Sequence, residues 1–408
     1  MPEPCLVLFD DRIARDWQPF TLTRPAGELR FGALTLRERA QRVFGTECIG
    51  HLTAEDLLGF EEPDARPVLA VDAVPGDRDV VYLSSRAVPA WTAAPVRLSG
   101  GPARILVGGE AAGWFAPAGT PPPPPAFFDD PAHHAPEAPE HALDGVVLDR
   151  VWQLVTRNAE QVARDVAALF PDAPRPALPD GVHVLGTAPL VLGPGASVEP
   201  GAVIDLRRGP VWLDAGASVA AFSKVAGPAY IGRGTAVLGG PLAAVSIGPV
   251  CKVHGEIEES VILGYSNKAH DGFLGHAYLG CWVNLGASTT NSDLKNNYGS
   301  VRIWTPGGEV DTGEIKLGCL LGDHVKTAIG TLLNTGTVVG AGSNLFGPGI
   351  PPRYVPPFSW GGADPSVAYE LERFLASAET AMGRREIALG DGQRALLRRA
   401  WHRSRRAP

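Results

Sequence analysis

The residues best suited to chemistry lie in one polar run, GYSNKAHDGF, and in the Gly-rich stretch that follows it. His270 sits in that run beside Asn267, Lys268, Asp271 and Gly272. An imidazole titrating near neutral pH can take the proton of an amine that attacks an acyl donor. The run also breaks a regular repeat, and polar departures of that kind are expected at functional sites. A loop histidine satisfied by its neighbours is the competing reading, and the residues alone leave the two level. Asn284 and Asn291 can hydrogen-bond a substrate beside His270 or form a ladder inside the repeat. Lys295, Lys316 and Lys326 flank Gly-rich turns, where an ammonium can meet a phosphate or simply be solvated. Gly286, Gly318 and Gly330 are expected to present backbone N–H groups to a thioester oxyanion. His276 is expected closest to the same surface, whereas His254 and His324 read as decoration of the repeat's faces.

The element that must position these groups is a six-residue repeat. Leu279, Leu285 and Asn291 are spaced by six, as are Leu192, Val198 and Ile204, Ile231 and Val237, and Ile247 and Val253. An apolar residue at every sixth position, interleaved with small residues and Gly, is the pattern of a hexapeptide parallel β-helix. Each hexad gives a short strand and a corner, and Gly is expected to turn the corner where φ is positive. One coil cannot bury its own face, so coils must stack. The pattern runs from about residue 182 to 360, giving about ten coils at roughly 18 residues each. Residues 205–210 and 296–313 read as corner loops. A helix is expected to start at Asp364 and Pro365, with Val367, Leu371, Phe374 and Leu375 on its apolar face. It would cover the open backbone groups of the coils.

Ahead of the repeat, CLVLF at Cys5–Phe9 reads as a buried strand, with further strands at 68–71, 80–83 and 105–107. Thr35 and Glu38 form a capping box for a helix whose apolar face carries Leu36, Ala40 and Val43. Strand, loop and helix followed by buried strands define an α/β unit. Residues 151–170 read as one amphipathic helix. The Pro-rich stretch 171–181 marks the boundary to the repeat. Arg24 and Arg30 follow the first strand and could face phosphates, but FDDRIARDW lacks the glycines of a phosphate-cradling loop. Ion-paired arginines in a structural turn are the alternative.

A formal net charge of −8 over 408 residues argues against nucleic acid as a partner. Arginines crowding the C-terminus, Arg406 among them, read as a solvated, partly frayed helix end. Five scattered cysteines without a CxxC suggest neither a zinc site nor a disulfide framework. No apolar run is long enough for a membrane span, so a cytoplasmic protein is expected.

The stretches GYSNKAHDGFLG, WVNLGASTTNSDLKNNYG, IKLGCLLGDHVKTAIGTLLNTGTVVGAGSNLFG and PPFSWGG resemble a bifunctional family. It is the UDP-N-acetylglucosamine pyrophosphorylase / glucosamine-1-phosphate N-acetyltransferase family, in its variant bacterial branch. The resemblance covers nearly the whole chain and is loosest in the N-terminal third. It implies an α/β nucleotidyltransferase-like (Rossmann-like) domain at 1–175, a left-handed parallel β-helix acyltransferase domain at 176–360 and a C-terminal helical extension at 361–408. It implies acetyl-CoA as co-substrate, an amino-sugar 1-phosphate as acceptor, and a homotrimer with the cleft between neighbouring β-helices. His270 matches the family's base by its nine-residue lead to LGCWVNLGA, and Asn284 matches an Asn that contacts sugar or acyl group. Lys295 and Lys316 fall where the family places positive charge for phosphates; with the residue-level candidates added, Lys268, Asn291, Lys295, Lys316 and Arg24 are the expected substrate contacts, and Lys326, Gly286 and Gly318 the expected cofactor contacts. Two positions depart. Phe273 stands where the family has tyrosine, and Glu258 where it has a phosphate-binding lysine, for which Lys252 or Lys268 could substitute. In WQPFTLTRPAGEL, Pro19, Thr21 and Pro25 fit the end of the nucleotidyltransferase signature, but its glycines are absent and Ala26 replaces its lysine. Asp72 matches the aspartate that holds Mg²⁺ with an NTP. The resemblance thus implies a shrunken first domain, inactive or altered.

Overall fold

A computed structural model describes residues 3–362, 364 and 367–405. Pro365 and Arg406 lie outside the described residues. The first unit is a six-stranded mixed sheet in the order Cys48–Leu52, Cys5–Phe9, Val80–Ser84, Glu110–Ala116, Ala103–Val107, Glu140–Leu143. Cys5–Phe9 is parallel to both neighbours and buried along its whole length, as a continuous apolar run requires. The helix Leu36–Phe44 carries the capping box: Thr35 accepts from the Glu38 backbone N–H at 3.1 Å while Glu38 accepts from the Thr35 N–H at 2.8 Å. Leu36, Ala40 and Val43 face the core. Two local expectations fail. Residues 68–71 contribute only a single bridge, His51 with Val68, before a 3-10 turn at Val71–Ala73. The helix expected at 151–170 is two segments, Gln153–Thr156 and Asn158–Leu169, broken at Arg157.

The second unit is a parallel β-helix with three faces. The first face runs from His183–Leu185 to Leu274–Gly275 and continues as Thr290–Asn291 paired with Leu332–Leu333. The second runs through nine strands from Leu190–Leu192 to Tyr354–Val355, so there are nine coils rather than ten. The third runs through eight strands from Ser197–Val198 to Asn344–Leu345. The six-residue spacing marks the inward position on each successive face of a coil: Leu279 is 0 %, Leu285 4 % and Asn291 2 % exposed. The insertion at 296–313 carries an antiparallel hairpin, Arg302–Thr305 with Gly308–Asp311.

The glycines serve two purposes. Gly280 and Gly286 are not in the left-handed region; a Cβ on either would come within 2.5 Å of the next coil, so they are there for close approach. Corner glycines do hold positive φ, at Gly195, Gly216, Gly234 and Gly342 between second and third faces; in the coils between them the same corner places bulky residues there, Tyr265 at 53°, Trp282 at 64° and His324 at 60°. Their rings stack there, Tyr265 on Trp282 at 4.6 Å and Trp282 on His324 at 6.3 Å. A run of favourable stacked contacts offsets the cost of each left-handed residue.

The loop leaving the first strand joins the two units. Residues 19–37 are buried without interruption. Phe20 packs on Tyr278 of the second face at 4.6 Å, and the Tyr278 hydroxyl accepts from the Arg30 N–H at 2.8 Å. The same apolar cluster takes in Leu263, Leu320, Phe374 and Leu396. Two C-terminal helices, Leu371–Gly383 and Asp391–Ser404, complete it, the first starting at N-cap Glu370 rather than near residue 364. The arginine-rich end is docked rather than frayed: Arg399 Nε donates to the Asp56 carbonyl at 3.1 Å and Arg403 lies 3.3 Å from the Asp56 carboxylate.

Candidate functional site: a cationic groove on the third face

Side chains alternate in and out along a strand, and in-register pairing from coil to coil turns that alternation into columns. On the third face the inward column includes Val253, Lys268, Leu285 and Thr327. The outward column is Lys252, Asn267, Asn284, Lys326 and Asn344, each paired with the next. Lys252, Asn267, Asn284 and Lys326 of this column floor a groove of about 530 Å³. Tyr265 and Trp282 wall it on one corner; His270, Gly286 and Ile329 wall it on the other. Ala381, Arg384 and Arg385, from the end of the Leu371–Gly383 helix, close a third side.

The groove carries Lys252, Lys326, Arg384 and Arg385, and no Asp or Glu lines it. In a chain of net charge −8 that segregation gives the groove a positive potential, which suits an anion. Lys326 is half-buried, and burial pushes its pKa down. An ammonium stripped of water without a counterion gains from a bound anion. Arg385 Nη2 donates to Asn267 Oδ1 at 2.7 Å, and Asn267 Nδ2 donates to Asn284 Oδ1 at 3.2 Å. This chain orients the Asn284 amide and leaves its Nδ2 without a partner among the described residues. His270 is exposed at the rim, on the corner loop between third and first faces. His254 lies 3.3 Å from Asp271 on the same corner.

The structure therefore brings four expected residues together: His270, Asn284, Lys326 and Gly286. It separates the others. Lys268 occupies an inward position, 2 % exposed, and its ammonium donates to the carbonyls of His254 at 2.9 Å and His270 at 2.5 Å. It holds the His270 loop rather than a substrate, and burial lowers its pKa to about 8. Asn291 is also inward; its amide bonds the Gly275 N–H and carbonyl, both at 2.9 Å, as a ladder would. Lys295 donates to the Ser300 carbonyl at the base of the 296–313 insertion. Lys316 is exposed beside Glu259 and Asp293, at the corner between first and second faces.

The expected oxyanion donors are already engaged. The Gly286 N–H donates to the Thr327 carbonyl at 3.1 Å, that of Gly318 to His276 at 2.8 Å and that of Gly330 to Ala287 at 2.8 Å. Coil-to-coil pairing uses these N–H groups, and Gly286 meets the groove only as a flat patch of backbone. His276 is not on the groove's surface. It is pinned between Asp293 at 2.8 Å and Glu259 at 3.3 Å; burial alone would lower its pKa, but these carboxylates push it up to about 9. His324 does not decorate a face. It is 2 % exposed between Trp282 and Phe374, and burial pushes its pKa down to about 3.

In the first unit, ligands of open α/β sheets bind beyond the carboxyl ends of the parallel strands. Here that crevice is filled by the chain itself. Asp11 is paired with Arg86 at 2.9 Å, and Asp10 accepts from the Ala26 N–H at 3.0 Å and from Thr53 at 2.7 Å. Arg24 is 3 % exposed and donates to Asp323 of the β-helix at 2.9 Å, so it braces two units and does not face a phosphate. Arg30 is equally buried, over the ring of Tyr230. The space left beside Arg24 is about 70 Å³, far below the several hundred Å³ of ordinary ligand pockets. Asp72 is exposed on its 3-10 turn, and no three His, Cys, Asp or Glu side chains among the described residues are grouped to hold a metal ion.

Sequence reasoning missed Arg384, Arg385, Tyr265 and Trp282, and saw Lys252 only as a substitute. Helical periodicity shows which face of a helix is apolar, not where its last turn will dock. The outward column was within reach, because Lys252, Asn267 and Asn284 each precede an inward position of the repeat.

Residues 6–172 match the family described as sugar nucleotidyl transferase. A stretch of 91 residues is 31% identical to a protein of Sulfurisphaera tokodaii named bifunctional sugar-1-phosphate nucleotidylyltransferase/acetyltransferase. That stretch is 22% of this chain and 23% of the relative, so the match spans about a quarter of the relative's length. Both likenesses are to transferases of the sugar-nucleotide class in general, and neither singles out a branch that makes UDP-N-acetylglucosamine. The architecture is a nucleotidyltransferase-type α/β unit, then a parallel β-helix and C-terminal helices.

Proposed function

We propose that the protein is a transferase that moves an acetyl group from acetyl-CoA to the amine of an amino-sugar phosphate, of the glucosamine 1-phosphate type, in the third-face groove. The observation that carries this reading is a groove holding four cations, a rim imidazole and an unpartnered amide donor, with no carboxylate. The amine nitrogen attacks the thioester carbonyl; the C–N bond forms, and the C–S bond breaks as coenzyme A leaves. His270 accepts the amine proton and returns it to the leaving thiolate. The Nδ2 of Asn284 is the donor we assign to the developing oxyanion, since the glycine N–H groups are engaged elsewhere. No Ser, Thr or Cys lines the groove, which favours direct transfer over an acyl-enzyme.

The test is thiol release from acetyl-CoA with glucosamine 1-phosphate. His270→Ala should lower the rate by about 10²–10⁴-fold, the usual worth of a positioned base; an equal rate would remove His270 from the mechanism.

The match over residues 6–172 favours a second reading, in which the first unit transfers a nucleotidyl group from UTP or dTTP, with Mg²⁺, to a sugar 1-phosphate. The filled crevice weighs against it. Pyrophosphate release from either NTP would support it, and its absence for every NTP would eliminate it. A homotrimer is the assembly we propose, supported by the exposed apolar edge of Ile329, Leu332 and Ile350; a monomer in light scattering would refute that. No helix among the described residues is long and apolar enough to cross a membrane, which fits the cytoplasmic location we propose. A scaffold without catalysis is the remaining alternative. It would gain support if coenzyme A, nucleotides and sugar phosphates all failed to raise the melting temperature.

A further inference from the structure

The cations of the groove come from two elements. Lys252 and Lys326 stand on the β-helix, three coil steps apart in one column. At ~4.8 Å per neighbouring strand they are about 14 Å apart. Arg384 and Arg385 come from the C-terminal helical pair, Arg384 being the C-cap of Leu371–Gly383. Arg385 is anchored through Asn267 at 2.7 Å, and Asn267 is the residue next to Lys252 in the column. Asn267 therefore ties Arg385 to the Lys252 end of the groove, with Arg384 lining the same cavity, while Lys326 stands at the far end.

Arginines at a helix C-terminus are ordinarily explained by the helix dipole and by solvation. The rest of this helical pair argues against that explanation here. Arg394 is paired with Glu379, Arg398 with Glu372 and Arg403 with Asp56. Arg384 and Lys252, by contrast, make no side-chain hydrogen bond or ion pair among the described residues, and Arg385 has only a neutral amide. Three like charges around one cavity repel each other, and an anion between them removes that cost. Planar guanidinium forks match the oxygens of a phosphate, and two of them with an ammonium match a diphosphate better than a carboxylate.

We infer that Arg384, Arg385 and Lys252 form a phosphate seat, contributed largely by the C-terminal helical pair, for a phosphate or diphosphate carried by a substrate of this groove. The inference rests on the groove being the ligand site proposed above, but not on the reaction. The docking of Asp391–Ser404 against Asp56 and Leu58 of the first unit then gains a role, because it fixes the helical pair and with it the seat.

Calorimetric titration of the full-length protein with inorganic pyrophosphate, coenzyme A and glucosamine 1-phosphate tests it. Arg384→Gln/Arg385→Gln should weaken pyrophosphate binding by about tenfold or more, as expected for lost charge-assisted hydrogen bonds. Of the two substrates, the one whose affinity falls in parallel is the one that uses the seat. Lys326→Gln should leave pyrophosphate affinity within about twofold, because that ammonium lies about 14 Å from the seat. Arg384→Gln alone, which breaks no contact in the fold, keeps the test valid if the double variant melts early. Unchanged affinity in the arginine variants together with loss in Lys326→Gln would overturn the seat and leave acyl transfer standing. Binding that follows the arginines in a protein that releases no thiol would keep the seat and refute the reaction. No binding of any of the three by the wild type would refute both.

Discussion

Asn284 has its orientation set by contacts that begin on a different element: Arg385 fixes Asn267, and Asn267 fixes Asn284. If Asn284 Nδ2 stabilises the oxyanion, Asn284→Ala should lower the rate of thiol release by about 10²–10³-fold with little change in coenzyme A affinity. A rate within twofold of wild type would remove that role. His276 supports the fold instead. Its folded pKa of about 9 lies above the ordinary 6.5, so its contribution is complete below about pH 6.5 and lost as pH rises through about 9. That contribution is roughly 3 kcal/mol. Denaturant unfolding of wild type and His276→Gln should therefore differ at pH 6 and converge above pH 9; a gap independent of pH would contradict it. At this scale the repeat made His270, Asn284 and Lys326 legible. Lys268 was read as a substrate contact because its polar character was weighed above its inward phase; for Asn291, which shares the six-residue spacing of Leu279 and Leu285, the ladder was one of the two readings, and its contacts follow it.

The β-helix was legible as an element because one physical requirement, an apolar residue inward on every strand, repeats through the sequence. Corners were less so. Gly195, Gly216, Gly234 and Gly342 take the left-handed φ as expected, but Tyr265, Trp282 and His324 take it too, residues that no propensity assigns to such a turn, because stacking between coils overrides local preference. Leu279 lies at the centre of the inward column and is fully buried. Leu279→Ala should cost about 2–5 kcal/mol, since the neighbouring coils are fixed by backbone pairing and collapse poorly into the space. A loss below about 1 kcal/mol in urea unfolding would mean that the coils repack, contrary to the rigid stack described here.

At the scale of the molecule, the loop 19–37 decides how the units relate. Arg24 leaves the first unit and meets Asp323 at 2.9 Å in the second, with Thr23 donating to the same carboxylate at 2.7 Å. Arg24→Ala would strand Asp323, at a cost of about 3–5 kcal/mol. Arg24→Ala should also unfold in two separate thermal transitions where the wild type unfolds in one, if the units are held together chiefly by this brace; one transition in both proteins would contradict that. The sequence made both units legible by their separate patterns. It could not show that the loop resembling a nucleotidyltransferase signature is buried between them, because contacts such as Phe20 on Tyr278 join residues far apart in the chain. Diffraction from crystals soaked with coenzyme A decides whether the third-face groove is where acyl transfer takes place. Density is expected along the third face, with a phosphate between Lys252 and Arg385 or at Lys326 and the thiol end near His270. Density for the cofactor only elsewhere, in the first unit or beside His276, would contradict it.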